Sequence, residues 1–227
     1  MCARLLLSVM IFFAGFCPGY TYSTNRIHYH YRELVNNKVI DIELALEETG
    51  DTCRLTCKSR DEISVSIDDK SLSTLEWFFT KPSEKSDIKV KREGNFLFID
   101  GTFKGKGIHD RMPIDERPWY QATSLSLKDF VFSTDQERTF WVLLSDSLSP
   151  VKFRAVKEAT KSIKIGNASY DAIRIVMRPA GLKTLLWKGE YWFNLEEGIL
   201  LRFQGPTGLP GSAMSEIIIV SVVEDAE

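Results

Sequence analysis

Between Asn167 and Gln204 apolar residues return at every second position in three successive runs, and that period of two can bury its oily side only in strands that are half covered. In the first run Ile173, Ile175 and Met177 alternate with Arg174, Val176 and Arg178. The middle run sets Leu185, Trp187, Tyr191 and Phe193 against Lys188 and Glu190, and the last sets Ile199, Leu201 and Phe203 against Leu200, Arg202 and Gln204. Pro179-Ala180-Gly181 and Asn194 to Gly198 separate the runs, each a glycine-containing segment of hairpin length. The stretch reads as an antiparallel meander.

The rest of the chain repeats this grammar. Ile40, Ile42, Leu44 and Leu46 oppose Asp41, Glu43 and Glu47, while Ile63, Val65 and Ile67 oppose Glu62, Ser64, Ser66 and Asp68. Leu75, Trp77 and Phe79 share one parity with Phe78 opposite, and residues 88–91 and 95–102 pair through the turn at Gly94. Further strands follow at Phe140 to Leu144, Val151 to Ala155 and Ser162 to Ile165, and Ile217 to Val223 reads as a buried strand after a Gly/Pro loop at Gly205 to Gly211. The rhythm breaks from Gly101 to Gln121, which reads as a long loop. A helix is expected to begin near Asp115, with Asp115 as its cap. The expected fold is mainly β (β-rich α+β): a large curved antiparallel sheet or half-barrel, with one or two short helices as a plug or lid.

At the N-terminus a short basic start ending in Arg4 precedes the apolar run Leu5 to Phe16, which is shorter than the roughly 20 residues a spanning helix needs and suits a secretory signal peptide. Residues 1–23 are therefore expected to be removed, leaving 24–227 as one domain that is not integral to the membrane. Phe16 before Cys17 is too bulky for a lipoprotein signal. Without Arg4 the chain has 28 basic and 31 acidic residues of the original 29 and 31, and no dense Lys/Arg run, so nothing marks it for nucleic acid. Cys53 and Cys57 lie four residues apart on one strand face, roughly 13 Å when extended. Two buried thiols, a disulfide across a bend, and a metal or redox pair all remain open.

Catalytic signatures are sparse. Gly101 to Gly107 has the wrong glycine spacing for a phosphate loop, and neither G-x-S-x-G nor H-E-x-x-H occurs. His28 and His30 share a strand face, as in a metal site or simply a solvated aromatic strand. The densest acid/base set is His109, Asp110, Asp115 and Glu116, which keeps a hydrolase reading open. The large apolar residues weigh more: Trp77, Phe79, Trp141, Ile173, Ile175, Leu185, Trp187, Tyr191, Phe193, Leu201 and Phe203, with Trp119 from the lid, are the candidate lining of a hydrophobic cavity. No cofactor or metal is expected.

The strand and turn Ile163-Lys164-Ile165-Gly166, the strand Tyr170 to Arg178, then Trp187, Tyr191-Trp192 and Gly198-Ile199-Leu200-Leu201-Arg202 resemble exported bacterial proteins of the lipoprotein-carrier, LolA/LolB-like half-barrel superfamily. The segment Asp115 to Ser133 looks like the helical plug of that architecture. The resemblance implies a hydrophobic cavity for a lipid, a lipoprotein acyl chain or another apolar small molecule, and a soluble periplasmic protein if the source is a Gram-negative bacterium. It implies no catalytic residue. The alternative is an envelope structural or protein-interaction module with a filled core and no ligand.

Overall fold

The structure is a computed structural model and describes residues 26–181, 187–206 and 212–225. The expected signal peptide and Leu185 lie outside the described residues. In chain order the strands are β1 (Arg26–Val35), β2 (Lys38–Thr49), β3 (Thr52–Ser59), β4 (Glu62–Asp69), β5 (Thr74–Lys81), β6 (Ser86–Glu93), β7 (Phe96–Phe103) and β8 (Lys106–Pro113). Two short helices, α1 (Thr123–Ser126) and α2 (Lys128–Phe132), come next. The chain returns through β9 (Glu137–Leu143), β10 (Pro150–Ile165), β11 (Ala168–Pro179), β12 (Gly189–Asn194), β13 (Leu200–Pro206) and β14 (Met214–Glu224).

All fourteen strands form one antiparallel sheet in the order β8-β7-β6-β5-β4-β3-β2-β1-β14-β13-β12-β11-β10-β9. Each half is a simple meander of hairpins, and the halves join where β14 pairs with β1. Asn36 and Asn37, both at positive φ (49° and 59°), make the two-residue turn from β1 to β2 that matches the twist of its flanking strands. The sheet is not closed by strand pairing, because β8 and β9 stand at opposite ends of the order. It is nonetheless strongly curved: Val90, Leu97 and Ile99 of β6 and β7 share a buried cluster with Leu143 of β9.

Residues 114–121 cross between those ends as an extended strap. Ile114 N donates to Asn95 O at 2.9 Å, Thr74 N to Trp119 O at 2.7 Å and Tyr120 N to Trp141 O at 2.8 Å, so one segment is bonded to both halves of the sheet. The side-chain amide of Gln121 adds a clamp on β9, its Nε2 donating to Leu143 O at 2.9 Å and its Oε1 accepting from Leu143 N at 3.2 Å.

The curved sheet with short helices is thus as its alternation predicts, and several local readings are corrected. The expected loop from Gly101 is the β7–β8 hairpin, which stays extended to Pro113 because β8 finds a full partner in β7. Helix does not begin at Asp115 but at Thr123, since the backbone of residues 114–121 is committed to strand-like bonds. The strand β4 turns Ser64, Ser66 and Asp68 toward the interior and leaves Ile63 exposed, because its register with Leu55 of β3 and Trp77 of β5 fixes that parity. Tyr29 and Tyr31, expected in a solvated strand, are buried. The strand expected to be buried at Ile217 to Val223 is exposed from Val220 onward, since β13 pairs with β14 only as far as Ile218.

Candidate functional site

The concave face carries two apolar clusters divided by the polar row of β4. The larger gathers Tyr29 and Tyr31 of β1, Leu44 and Leu46 of β2, Ile173, Ile175 and Met177 of β11, Tyr191 and Phe193 of β12, and Phe203 of β13. Leu125, Leu127, Phe130 and Val131 of the helical segment are driven into its centre, each no more than 6% exposed. The rings interlock: Tyr191 and Phe203 lie 4.8 Å apart between centroids, Tyr120 and Phe140 5.0 Å, and Phe153 meets Trp187 edge-on at 5.2 Å. The smaller cluster joins Trp77, Phe79, Ile88, Val90, Leu97 and Ile99 to Trp119 and Ile114 of the strap.

Between them, Trp77 Nε1 donates to Ser64 Oγ at 2.7 Å and Ser66 Oγ donates to Asp68 Oδ2 at 3.1 Å. Asp68 is 1% exposed and its Oδ1 has no hydrogen-bond partner among the described residues. Burial therefore pushes its carboxyl up to about 6, against the hydrogen bonds from Thr74 and Ser66 that favour the charged form. Burial likewise raises the Cys57 thiol to about 12, helped by the Glu62 carboxylate. Cys53 and Cys57 are free thiols on the strand face shared with Leu55, so no disulfide joins them.

The strap is anchored by a charge hub that the sequence did not reveal. Asp115 accepts from Trp141 Nε1 at 2.8 Å, from Lys152 Nζ at 2.7 Å and from the Arg117 guanidinium, while Lys152 Nζ also lies 4.9 Å from the Trp141 ring centroid. Burial alone would raise the Asp115 carboxyl, but the bonds from Lys152 and Trp141 outweigh it and hold the group below the usual carboxylate range. His109 instead sits on the exposed β8 surface against Asp100, and adjacent positions put Asp110 on the other face of the strand. The four acid/base groups of residues 109–116 are not brought together.

Of the candidate lining residues, Trp77, Phe79 and Trp119 lie in the smaller cluster, with Trp141 packed against it. Ile173, Ile175, Tyr191, Phe193 and Phe203 lie in the larger one, with Trp187 at its margin. Leu201 goes elsewhere. Phe193 pairs with Leu200 whereas Trp192 pairs with Arg202, so Leu201 is the extra residue of a bulge and packs with Trp192, Ile163 and Ala172. The missed features are the inward polar row and the Asp115 hub; the alternation of Ser64, Ser66 and Asp68 was visible, but which parity faces inward depends on register.

No family model matches the chain, and no curated protein matches it. Among solved structures, it is similar to the β-barrel-like protein of the domain of unknown function DUF1849 from Brucella abortus, with a TM-score of 0.60 and 7% identity over 90% of this chain and 99% of that one. Looser matches include the hypothetical lipoprotein YmcC from Escherichia coli (TM-score 0.41, 7% identity, 86% and 87% covered) and a LolA-superfamily protein from Nitrosomonas europaea (TM-score 0.26, 8% identity, 90% and 87% covered). Fourteen strands in one open curved sheet, with a helical segment driven into its hollow, give this chain a half-barrel architecture and the fold of the β-barrel-like DUF1849 structure.

Proposed function

We propose that the chain is an exported carrier or chaperone-like protein of the bacterial envelope, periplasmic, that binds a lipid, an acyl chain or another apolar molecule on its concave face. The observation that carries this is the plug. Leu125, Leu127, Phe130 and Val131 occupy the centre of the aromatic hollow, yet α1 and α2 span only four and five residues. Helices this short have little stability of their own. Few polar contacts tie them to the sheet: the hydroxyls of Thr123 and Tyr191 meet at 3.4 Å, Lys157 Nζ donates to Ser133 O just past α2, and the Lys157 and Arg138 cations lie over the Phe130 ring. In this reading the four side chains hold the place of a hydrocarbon tail, and a ligand enters by displacing them. Trp187, Tyr191, Phe193 and Phe203 then line the site, with Ile173 and Ile175 as its floor.

Solvent extraction and mass spectrometry of the protein purified from its host, followed by titration with a fluorescent acyl probe, test the proposal. A co-purifying lipid or saturable probe binding supports it. Absence of both, in the natural chain and in a variant with a loosened plug, would sink it. The tight packing of the smaller cluster, where Trp77, Val90, Leu97, Ile99 and Trp119 are each no more than 1% exposed, favours the second reading, a filled interaction module. Crosslinking to a defined envelope protein with no lipid bound would establish that one.

A further inference from the structure

The sheet contains an interior notch. On one side the β10–β11 hairpin runs out to the turn at Gly166, with Ile165 paired to Ala168, whereas β12 joins β11 only from Ala172. On the other side β14 continues along β1 to Glu224, whereas β13 leaves β14 after Ile218. The shorter β12–β13 hairpin thus forms a floor between two taller walls. The recess between them has a volume of about 530 Å³. Ile165 and Tyr170 line one wall, Val220 and Val222 the other, and Ile199 and Leu201 the floor.

The walls differ from the outer margins of the sheet. An unpaired strand edge invites another strand unless charge, proline or covering chain blunts it. The margin at β8 carries Lys106, His109, Asp110, Arg111 and Pro113, and the margin at β9 is covered by the strap through the bridge between Trp119 and Trp141. The notch wall from Ile219 to Val223 has no charge and no proline. Val220, Val222 and Val223 are 54%, 40% and 49% exposed, so this edge is apolar and, among the described residues, open. A bulge opposite His30 and Tyr31 twists the wall but leaves Ser221, Val222 and Val223 paired to β1 and extended.

We propose that this notch receives an extended segment of a partner protein, which adds as a strand to the free edge of β14 and sets alternate apolar side chains against Tyr170, Ile199 and Leu201. A hydrocarbon chain would fill the volume but leave the backbone donors and acceptors of the wall to water. An added strand satisfies both the backbone and the valines, the mode of recognition that exposed sheet edges support. The occupant is thus distinguished by its main chain. The proposal does not depend on the concave face holding a ligand.

The test uses the full exported chain and a set of capped hexapeptides that alternate valine or leucine with threonine, each also made with alternate backbone nitrogens methylated. Fluorescence anisotropy is expected to show saturable binding of unmethylated peptides, at least tenfold weaker after methylation, with slowed amide exchange confined to residues 219–223. Val220→Lys with Val222→Lys is expected to abolish binding while leaving the thermal midpoint in place, since both side chains are exposed. Binding that is indifferent to methylation, or displacement of the peptide by dodecyl detergent without amide protection, would make the recess a hydrocarbon site and overturn the proposal. Self-association of the natural chain in sedimentation, lost in the double lysine variant, would make a second copy the occupant and overturn it too. Failure of every peptide in the set to protect residues 219–223 counts equally against it.

Discussion

Asp68 gives the sharpest test of how the interior is built. Its carboxyl lies in the wall between two apolar clusters, 1% exposed, with one oxygen bonded to Ser66 and the other without a partner among the described residues. Burial lifts its pKa from 3.8 to about 6. In the unfolded chain the group loses its proton near the lower value, whereas the folded chain holds the proton until the higher one. Across that window the native state binds more protons, so stability falls as pH rises, by about 1.4 kcal/mol for each pH unit between the two values. The interval from 3.8 to about 6 therefore amounts to about 3 kcal/mol, fully expressed above pH 6 and absent well below pH 4. Asp68→Asn keeps the size and an acceptor for Ser66 but removes the charge. Urea unfolding of both chains is expected to show the variant gaining on the natural chain by about 2 kcal/mol between pH 4 and pH 7.5, the remainder lost to imperfect amide bonding. The difference between the chains matters here, because titrations elsewhere cancel in it. A difference that stays flat across this range, or one that reverses sign, would show that Asp68 is charged and paired in the folded protein, and the account of the polar row would be wrong.

Four further outcomes follow from the geometry. Asp115→Ala strips Trp141, Lys152 and Arg117 of a shared acceptor and is expected to cost roughly 2–4 kcal/mol near neutral pH. Because the Asp115 carboxyl is held low when folded, its contribution is present above the ordinary carboxylate range and lost as pH falls through the depressed value, so the variant and the natural chain should converge in strong acid in the same urea assay. Gly101→Ala would place a Cβ 2.2 Å from Asp87 O at a φ of 130°, and is expected to cost about 3 kcal/mol or prevent folding. Gly50→Ala, with a φ of 59° but open space around it, should cost only about 1 kcal/mol by thermal melting. Phe130→Ala empties the middle of the plug: a loss of about 3 kcal/mol in the free protein should accompany tighter binding of an acyl probe, and unchanged or weaker binding would speak against plug displacement.

How far the sequence speaks for this architecture depends on the scale at which it is read. Alternation alone was enough for the fold, because in β11 every inward position from Ile173 to Met177 is apolar and the turns that flank the strand carry Gly166 and Gly181, both at positive φ. Alternation fixes a parity but not a side. In β4 either set could have faced inward, and the choice went to Ser64, Ser66 and Asp68 through pairing with β3 and β5, whose own faces were set by Leu55 and Trp77. A single inserted residue has the same power: Leu201 keeps its period with Phe203 in the sequence and loses it in space, since the bulge gives Phe193 to Leu200. The strap was illegible for a different reason. Residues 114–121 carry no repeating pattern, because Ile114, Pro118, Trp119 and Tyr120 make separate long-range backbone bonds, to the β6–β7 turn, the start of β5 or the edge of β9. The same logic explains why the last strand misled: Ile217 to Val223 is apolar at every position but Ser221, much as a central strand covered on both faces would be. In the folded chain its second half pairs with β1 on one side and, among the described residues, with no strand on the other, so an apolar composition that would be assigned to the core is left for whatever completes the edge.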